Sequence, residues 1–181
     1  MRWEETSEPV PVSPLAALGE AVGLAGTLEA VAGSSGAALT VVMPDGLRAE
    51  VDQFLRGHAV EAGGLLLGRR FELGERAGSP LVLVERFVPG RVFEGTGVSL
   101  ALGTELWDDA RPWIDGGLAV VGWVHSHPDL GAFFSGTDRR TQRAFFGQPW
   151  QFGLCVDPVR GEQAWFRGAD SLPDGLQVVR V

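Results

Sequence analysis

From residue 38 onward the chain alternates short apolar runs with stretches that turn one apolar face at helical spacing. "ALTVVMP" (38–44) reads as a strand. "DGLRAEVDQFLRGHAVE" (45–61) reads as an amphipathic helix, with Leu47, Val51, Phe54 and Leu55 on one side. "GGLLLGRR" reads as a short buried strand and "SPLVLVERFVPG" as a longer one. "GTELWDDARPWIDGG" starts as a helix and is interrupted at Pro112, whose ring and missing N–H disrupt helical bonding. "LAVVGWVHSHP" is a central strand, "GTDRRTQRAFFGQ" a helix and "PWQFGLCVDP" a strand, and "RGEQAWFRG" and "LQVVRV" finish the sheet. Strands and helices interleave, which predicts a mixed α/β domain over residues 38–181: one curved mixed sheet flanked by helices.

Residues 1–37 follow a different pattern. Prolines at 9, 11 and 14 mark a flexible tail. Ser13 and Pro14 then suit an N-cap and first turn, and Leu15, Leu18, Val22, Ala25 and Leu28 recur at roughly helical spacing. Gly19, Gly23 and Gly26 each weaken such a helix by roughly 1 kcal/mol relative to alanine, so it is a marginal one. "GSSG" reads as the linker to the domain.

Composition narrows the classes of function. All 15 basic residues are arginine, and with 23 acidic residues the net charge is −8. A phosphate backbone or an anionic membrane needs a basic face, so neither is expected as a partner. Arg69-Arg70 and Arg139-Arg140 are the only basic clusters and read as solvated. Lysine is absent, and Ile114 is the only isoleucine, the signature of a GC-rich coding bias of bacterial type. The single cysteine, Cys155, excludes an internal disulfide framework and a Cys-rich metal site, and its apolar strand marks it as a small core residue. The acidic, Pro-rich start lacks the apolar segment of a signal peptide, and no run is expected to reach membrane-spanning length. A cytoplasmic location is the expectation.

Two of the three histidines stand in "GWVHSHPDLGAFFSGTD" (122–138). Residues i and i+2 of a strand share a side, so His125 and His127 project together from the end of an apolar run, where Pro128 stops the ladder. Two imidazoles so placed suit one metal ion, and Asp138 in the first turn of the next helix adds a carboxylate. With a water, the set makes the open tetrahedral site of catalytic zinc. The same S-x-x-D is also a capping box, in which Ser135 and Asp138 satisfy orphan amides. A hydrolytic site further needs a base. Glu61, at the end of the expected helix where the dipole disfavours it, competes for that role with Glu50 and Glu85.

These residues resemble a known signature. "HSHPDLGAFFSGTD" is similar to the H-x-H-P, six residues, S-x-x-D motif of the JAMM (MPN+/JAB) zinc metalloproteases, here of the bacterial ubiquitin-like-modifier deconjugase type. "EAGGLLLG" resembles that family's upstream E-x-x-G-L-x-L-G, and "CVDP" its later strand; the resemblance covers about residues 39–168. It implies an MPN, cytidine-deaminase-like fold with one zinc ion held by His125, His127 and Asp138. Glu61 would activate a water and Ser135 stabilise the tetrahedral intermediate. The implied activity is hydrolysis of the bond after the C-terminal glycine of a ubiquitin-like or sulfur-carrier protein ending in Gly-Gly. Conjugation-pathway proteins of the E1 or E2 kind and a second copy of the chain complete the expected partners. Only "GQPW" separates the S-x-x-D helix from the next strand, so the second insertion with which eukaryotic members grip ubiquitin is absent or minimal. The segment 88–105 then serves as a flap, and 92–102 as the sheet edge for the modifier's tail. The alternatives are a non-catalytic MPN-type binding module and a small-molecule metallohydrolase.

Overall fold

The structure, a computed structural model, describes residues 10–73, 79–90 and 104–181. The expected tail-binding edge, 92–102, lies outside them, as does most of the expected flap. Seven strands, β1 (Leu39–Met43), β2 (Gly63–Phe71), β3 (Leu81–Pro89), β4 (Ala119–Ser126), β5 (Phe152–Asp157), β6 (Glu162–Arg167) and β7 (Leu176–Arg180), form one sheet in the order β6-β5-β4-β2-β3-β1-β7. The sheet is mixed: β4 with β5, and β1 with both β3 and β7, pair in parallel, whereas β2 runs antiparallel to β3 and β4.

Each face of the sheet is covered. Helix α2 (Asp45–Arg56) lays Val51 and Leu55 on one face with Leu66, Val84 and Leu154, each such side chain contributing about 1.5–3 kcal/mol of transfer free energy. The other face carries α3 (Thr104–Asp115), through Leu106 and Ala110, and α4 (Gly136–Phe145), followed by the buried Phe146. Further along that face, α1 (Leu15–Gly33) packs Leu18 and Ala30 on Val42, Phe71 and Leu83. Strand β4 thus has α4 above it and β5 beside it, and the histidine strand ends between them.

Five local expectations are corrected. The cap of α1 is Pro14, with no side-chain bond, while Ser13 donates its N–H to the Arg70 carbonyl. That helix is also long and apolar enough to cross a membrane, by length and composition alone. In the fold it kinks at Gly23 (φ 72°), a conformation glycine adopts without penalty. Helix α2 stops at Arg56, five residues before Glu61; the chain turns at Gly57, and His58 Nδ1 donates to the Phe54 carbonyl at 2.8 Å. Helix α3 runs through Pro112 to Asp115. The Asp108 carbonyl deprived of an N–H partner lies on an exposed turn, where water can replace it. The arginine pairs are engaged within the chain: Arg69 makes a two-pronged bond to Glu85 at 2.7 and 3.0 Å, Arg70 pairs with Glu72, and Arg139 donates to the Ser171 carbonyl.

Candidate metal centre

Four side chains from three separate segments converge at the end of β4. His125 and His127 stand with ring centroids 4.8 Å apart, the pair expected from i, i+2 geometry. The His127 N–H bonds the Val156 carbonyl, so the strand pairing with β5 carries one residue beyond β4 and holds the second imidazole in place. Asp138 reaches both rings, with Oδ1 3.5 Å from His125 Nε2 and Oδ2 3.6 Å from His127 Nε2. Glu61 Oε1 lies 3.6 Å from His127 Nε2. Of the other two glutamates considered, Glu85 is paired with Arg69 and Glu50 is exposed on α2.

Ser135 and Asp138 do form the capping box. The Asp138 N–H donates to Ser135 Oγ at 3.2 Å, and the Ser135 N–H donates to Asp138 Oδ2 at 2.6 Å. Glu61, in the loop before β2, is placed differently. The neighbouring Ala62 is tied to Ser126, whose N–H and hydroxyl both donate to the Ala62 carbonyl while its Oγ accepts the Ala62 N–H at 3.1 Å. Ser126, between the two histidines, therefore fixes where the Glu61 loop meets β4.

The polar atoms here lack the partners that burial demands. Among the described residues, both nitrogens of His125, Nδ1 of His127 and Oε1 of Glu61 are buried without a hydrogen bond. Two donors each about 2.0–2.1 Å from a tetrahedral zinc ion stand about 3.4 Å apart. The imidazole–carboxylate separations of 3.5 and 3.6 Å match that spacing, and two histidines with one carboxylate are an ordinary zinc donor set. The residues present fit the ion.

Electrostatics separates the two carboxyl groups. Burial alone raises Asp138, but its polar contact and charge attraction with His125 and the bonds from Ser135 outweigh burial and hold it at about 2. Burial raises Glu61 above its ordinary value; His127 opposes the shift and Asp138 adds to it. Burial and the neighbouring His125 lower His127, against the pull of both carboxylates. The site thus holds one firmly ionised carboxylate, one that keeps a proton more readily, and a neutral imidazole suited to a metal.

Four supporting residues are not apparent in the sequence. Trp123 stacks on His125 (4.5 Å, 10°) and donates its indole N–H to Gln142 of α4 at 2.6 Å. Cys155 is fully buried opposite His125 in the β4–β5 register, and with His125 and His127 it forms a second compact set of possible metal donors. Burial raises its thiol to about 12. Asp157 accepts the N–H groups of Asp129, Gly131, Val159 and Arg160 at 2.7–3.1 Å, and so shapes the turn between His127 and Ser135. The "VDP" containing it was the one available signal.

Comparison with known proteins finds similar sequences and a similar fold. Two curated relatives are COP9 signalosome complex subunit 5 from Eremothecium gossypii, 46% identical over 48 residues, and from Caenorhabditis elegans, 46% identical over 43 residues. The matched stretches cover 25% and 23% of this chain and 11% of each relative. A protein from Desulfitobacterium hafniense, known from its solution structure, shares the fold with a TM-score of 0.59 at 22% identity, over 78% of this chain and 92% of its own. Residues 44–166, which include all four converging side chains, match the family of prokaryotic homologues of the JAB domain, and the chain belongs to that family.

Proposed function

We propose that the chain is a zinc-dependent isopeptidase or peptidase that hydrolyses the bond after the C-terminal glycine of a ubiquitin-like or sulfur-carrier protein. The observation that carries this reading is the convergence of Glu61, His125, His127 and Asp138 with buried nitrogens and an oxygen left without partners. Local similarity to COP9 signalosome complex subunit 5 supports it. In this reading residues 38–181 are the catalytic unit, working in the cytoplasm, and His125, His127 and Asp138 hold the ion.

Zinc, when bound, supplies Lewis acidity that acidifies water and polarises a carbonyl. The chain's own groups do the rest. Glu61, raised by burial, takes a proton from the attacking water and returns it to the leaving amine. Asp138 stays ionised throughout. Ser135 Oγ receives the Asp138 N–H through a lone pair, leaving the hydroxyl proton to donate to the carbonyl oxygen as charge develops there. Trp123 and Phe134 cover His125 on the core side and keep water from it.

The test is a ubiquitin-like protein ending in Gly-Gly and extended at its C-terminus, followed by intact mass. A cut after the last glycine, abolished by chelation and restored by zinc, is expected. Binding without any change in mass would instead identify a non-catalytic module, and cleavage surviving chelation would remove the metal from the account.

A further inference from the structure

A histidine that binds a metal is ordinarily held by a hydrogen bond from its second ring nitrogen to a carboxylate, carbonyl or water. Among the described residues, no side chain or carbonyl does this for His125. Its Nε2 faces Asp138, and among the described residues its buried Nδ1 has no partner. The ring is held by stacking: Trp123 lies parallel to it, 4.5 Å between centroids and 10° between planes. Trp123 is itself confined on its other face by Phe146, at 5.6 Å and 11°. Stacking fixes a plane but leaves rings free to slide within it, so a further contact has to set the register.

That contact is Gln142, which is fully buried. Its side-chain oxygen accepts the Trp123 indole N–H at 2.6 Å, and its amide nitrogen donates to the Phe146 carbonyl at 2.8 Å. One amide therefore ties the Trp123 ring to the backbone that carries Phe146. Gln142 sits one turn beyond Asp138 on α4, so it links the helix carrying the carboxylate to the ring that orients the imidazole. Gly153 on β5 leaves the room for this: a Cβ there would stand 2.8 Å from both Gln142 Oε1 and Trp123 Nε1.

We infer that Gln142 is a positioning residue for the metal centre, acting through Trp123 to hold His125 in register with Asp138. The inference rests on His125 and Asp138 being ligands. Loss of a group bonded directly to a ligating histidine typically weakens metal binding by roughly 10–100-fold; Gln142 acts one side chain further out, so its loss is expected to cost up to about tenfold.

The experiment measures zinc affinity by competition with a chromophoric chelator, and the visible spectrum of the cobalt-substituted protein, well below the melting temperature. Gln142→Leu is expected to weaken zinc by up to about tenfold and to alter the cobalt bands. Trp123→Phe, which keeps a ring over His125 but removes the indole N–H, should shift both in the same direction by less, and it decides the matter if the leucine variant does not fold. A merely structural role predicts a lower melting temperature with unchanged zinc affinity and cobalt spectrum in the folded variants, and that result overturns the inference. A wild-type chain that takes up no zinc overturns the functional reading beneath it, and this inference with it.

Discussion

Replacing Glu61 by glutamine separates proton transfer from metal binding. Glutamine has nearly the same shape, and the loop is held by the Ala62–Ser126 bonds, which the change leaves alone. What is lost is a group able to carry a proton, half-buried and 3.6 Å from His127 Nε2. General base catalysis of this kind typically contributes 10²–10⁴-fold, which corresponds to roughly 2.7–5.4 kcal/mol on the barrier. The metal-free protein adds a check of sign. Burial raises the Glu61 carboxyl in the folded state, so ionisation costs the fold stability as pH rises above the ordinary carboxylate value. Glutamine is free of that cost, and the metal-free variant should melt at or above wild type at pH 7. Single-turnover cleavage of the extended substrate, zinc content by elemental analysis and thermal melts give the three readings. A rate within tenfold of wild type at equal zinc content would refute Glu61 as the base. Loss of the zinc itself would make Glu61 a ligand instead.

Other outcomes follow from the same geometry. Asp157 is held at about 2: burial opposes this, and the N–H bonds it accepts, the Arg160 N–H first, outweigh burial. Its contribution is complete above the ordinary value of 3.8 and is lost as pH falls towards 2, so Asp157→Asn should flatten the acid side of a stability–pH profile measured between those limits; an unchanged profile would show that Asp157 does not govern the turn. Gly153→Ala inserts a methyl against Phe134, Gln142 and Trp123. Overpacking typically costs about 1–3 kcal/mol, read as a lower urea midpoint, and an unchanged midpoint would mean the pocket relaxes freely. Zinc at 100 times its dissociation constant should stabilise the chain by about 2.7 kcal/mol, or roughly 5–11 °C in melting temperature. Asp138→Asn should abolish that shift while the helix cap survives, and a wild-type melt indifferent to zinc would count against the ion.

The sheet and the histidine pair were legible because both rest on local periodicity: a two-residue repeat fixes which side chains share a face, whatever the strand's neighbours. Glu61 was not legible on residues alone. "GHAVE" continues the helical composition before it, so the pattern ran the helix to 61, whereas the turn at Gly57 and the His58–Phe54 bond end it earlier. The resemblance selected Glu61, but the reason offered from the helix dipole does not apply to a loop residue. Trp123, Gln142, Cys155 and Asp157 depend on β5 lying parallel beside β4 and on α4 crossing above them. Their partners are distant in sequence, and no periodicity encodes that. The expected tail-binding edge at 92–102 lies outside the described residues.

The capping box and the metal ligand looked like rival readings of Asp138, yet the geometry makes them one device. A helix N-terminus presents free N–H groups and a partial positive charge, which repel a cation and attract a carboxylate. At α4 the Ser135 N–H binds Oδ2, fixing the carboxylate plane so that Oδ1 meets His125 and Oδ2 faces His127. Capping therefore performs the orientation that a ligand requires, and its bonds add to the His125 contact and charge that hold Asp138 at about 2 despite burial. Glu61 receives no such donors: its Oε1 is buried and unpartnered, and its carboxyl moves the other way. Two carboxyl groups facing the same imidazole are driven apart: His125 and the helix-start donors favour the charged form of Asp138, whereas burial favours the protonated form of Glu61. In the proposed reaction that divergence assigns their work, one holding charge at the ion and the other moving a proton.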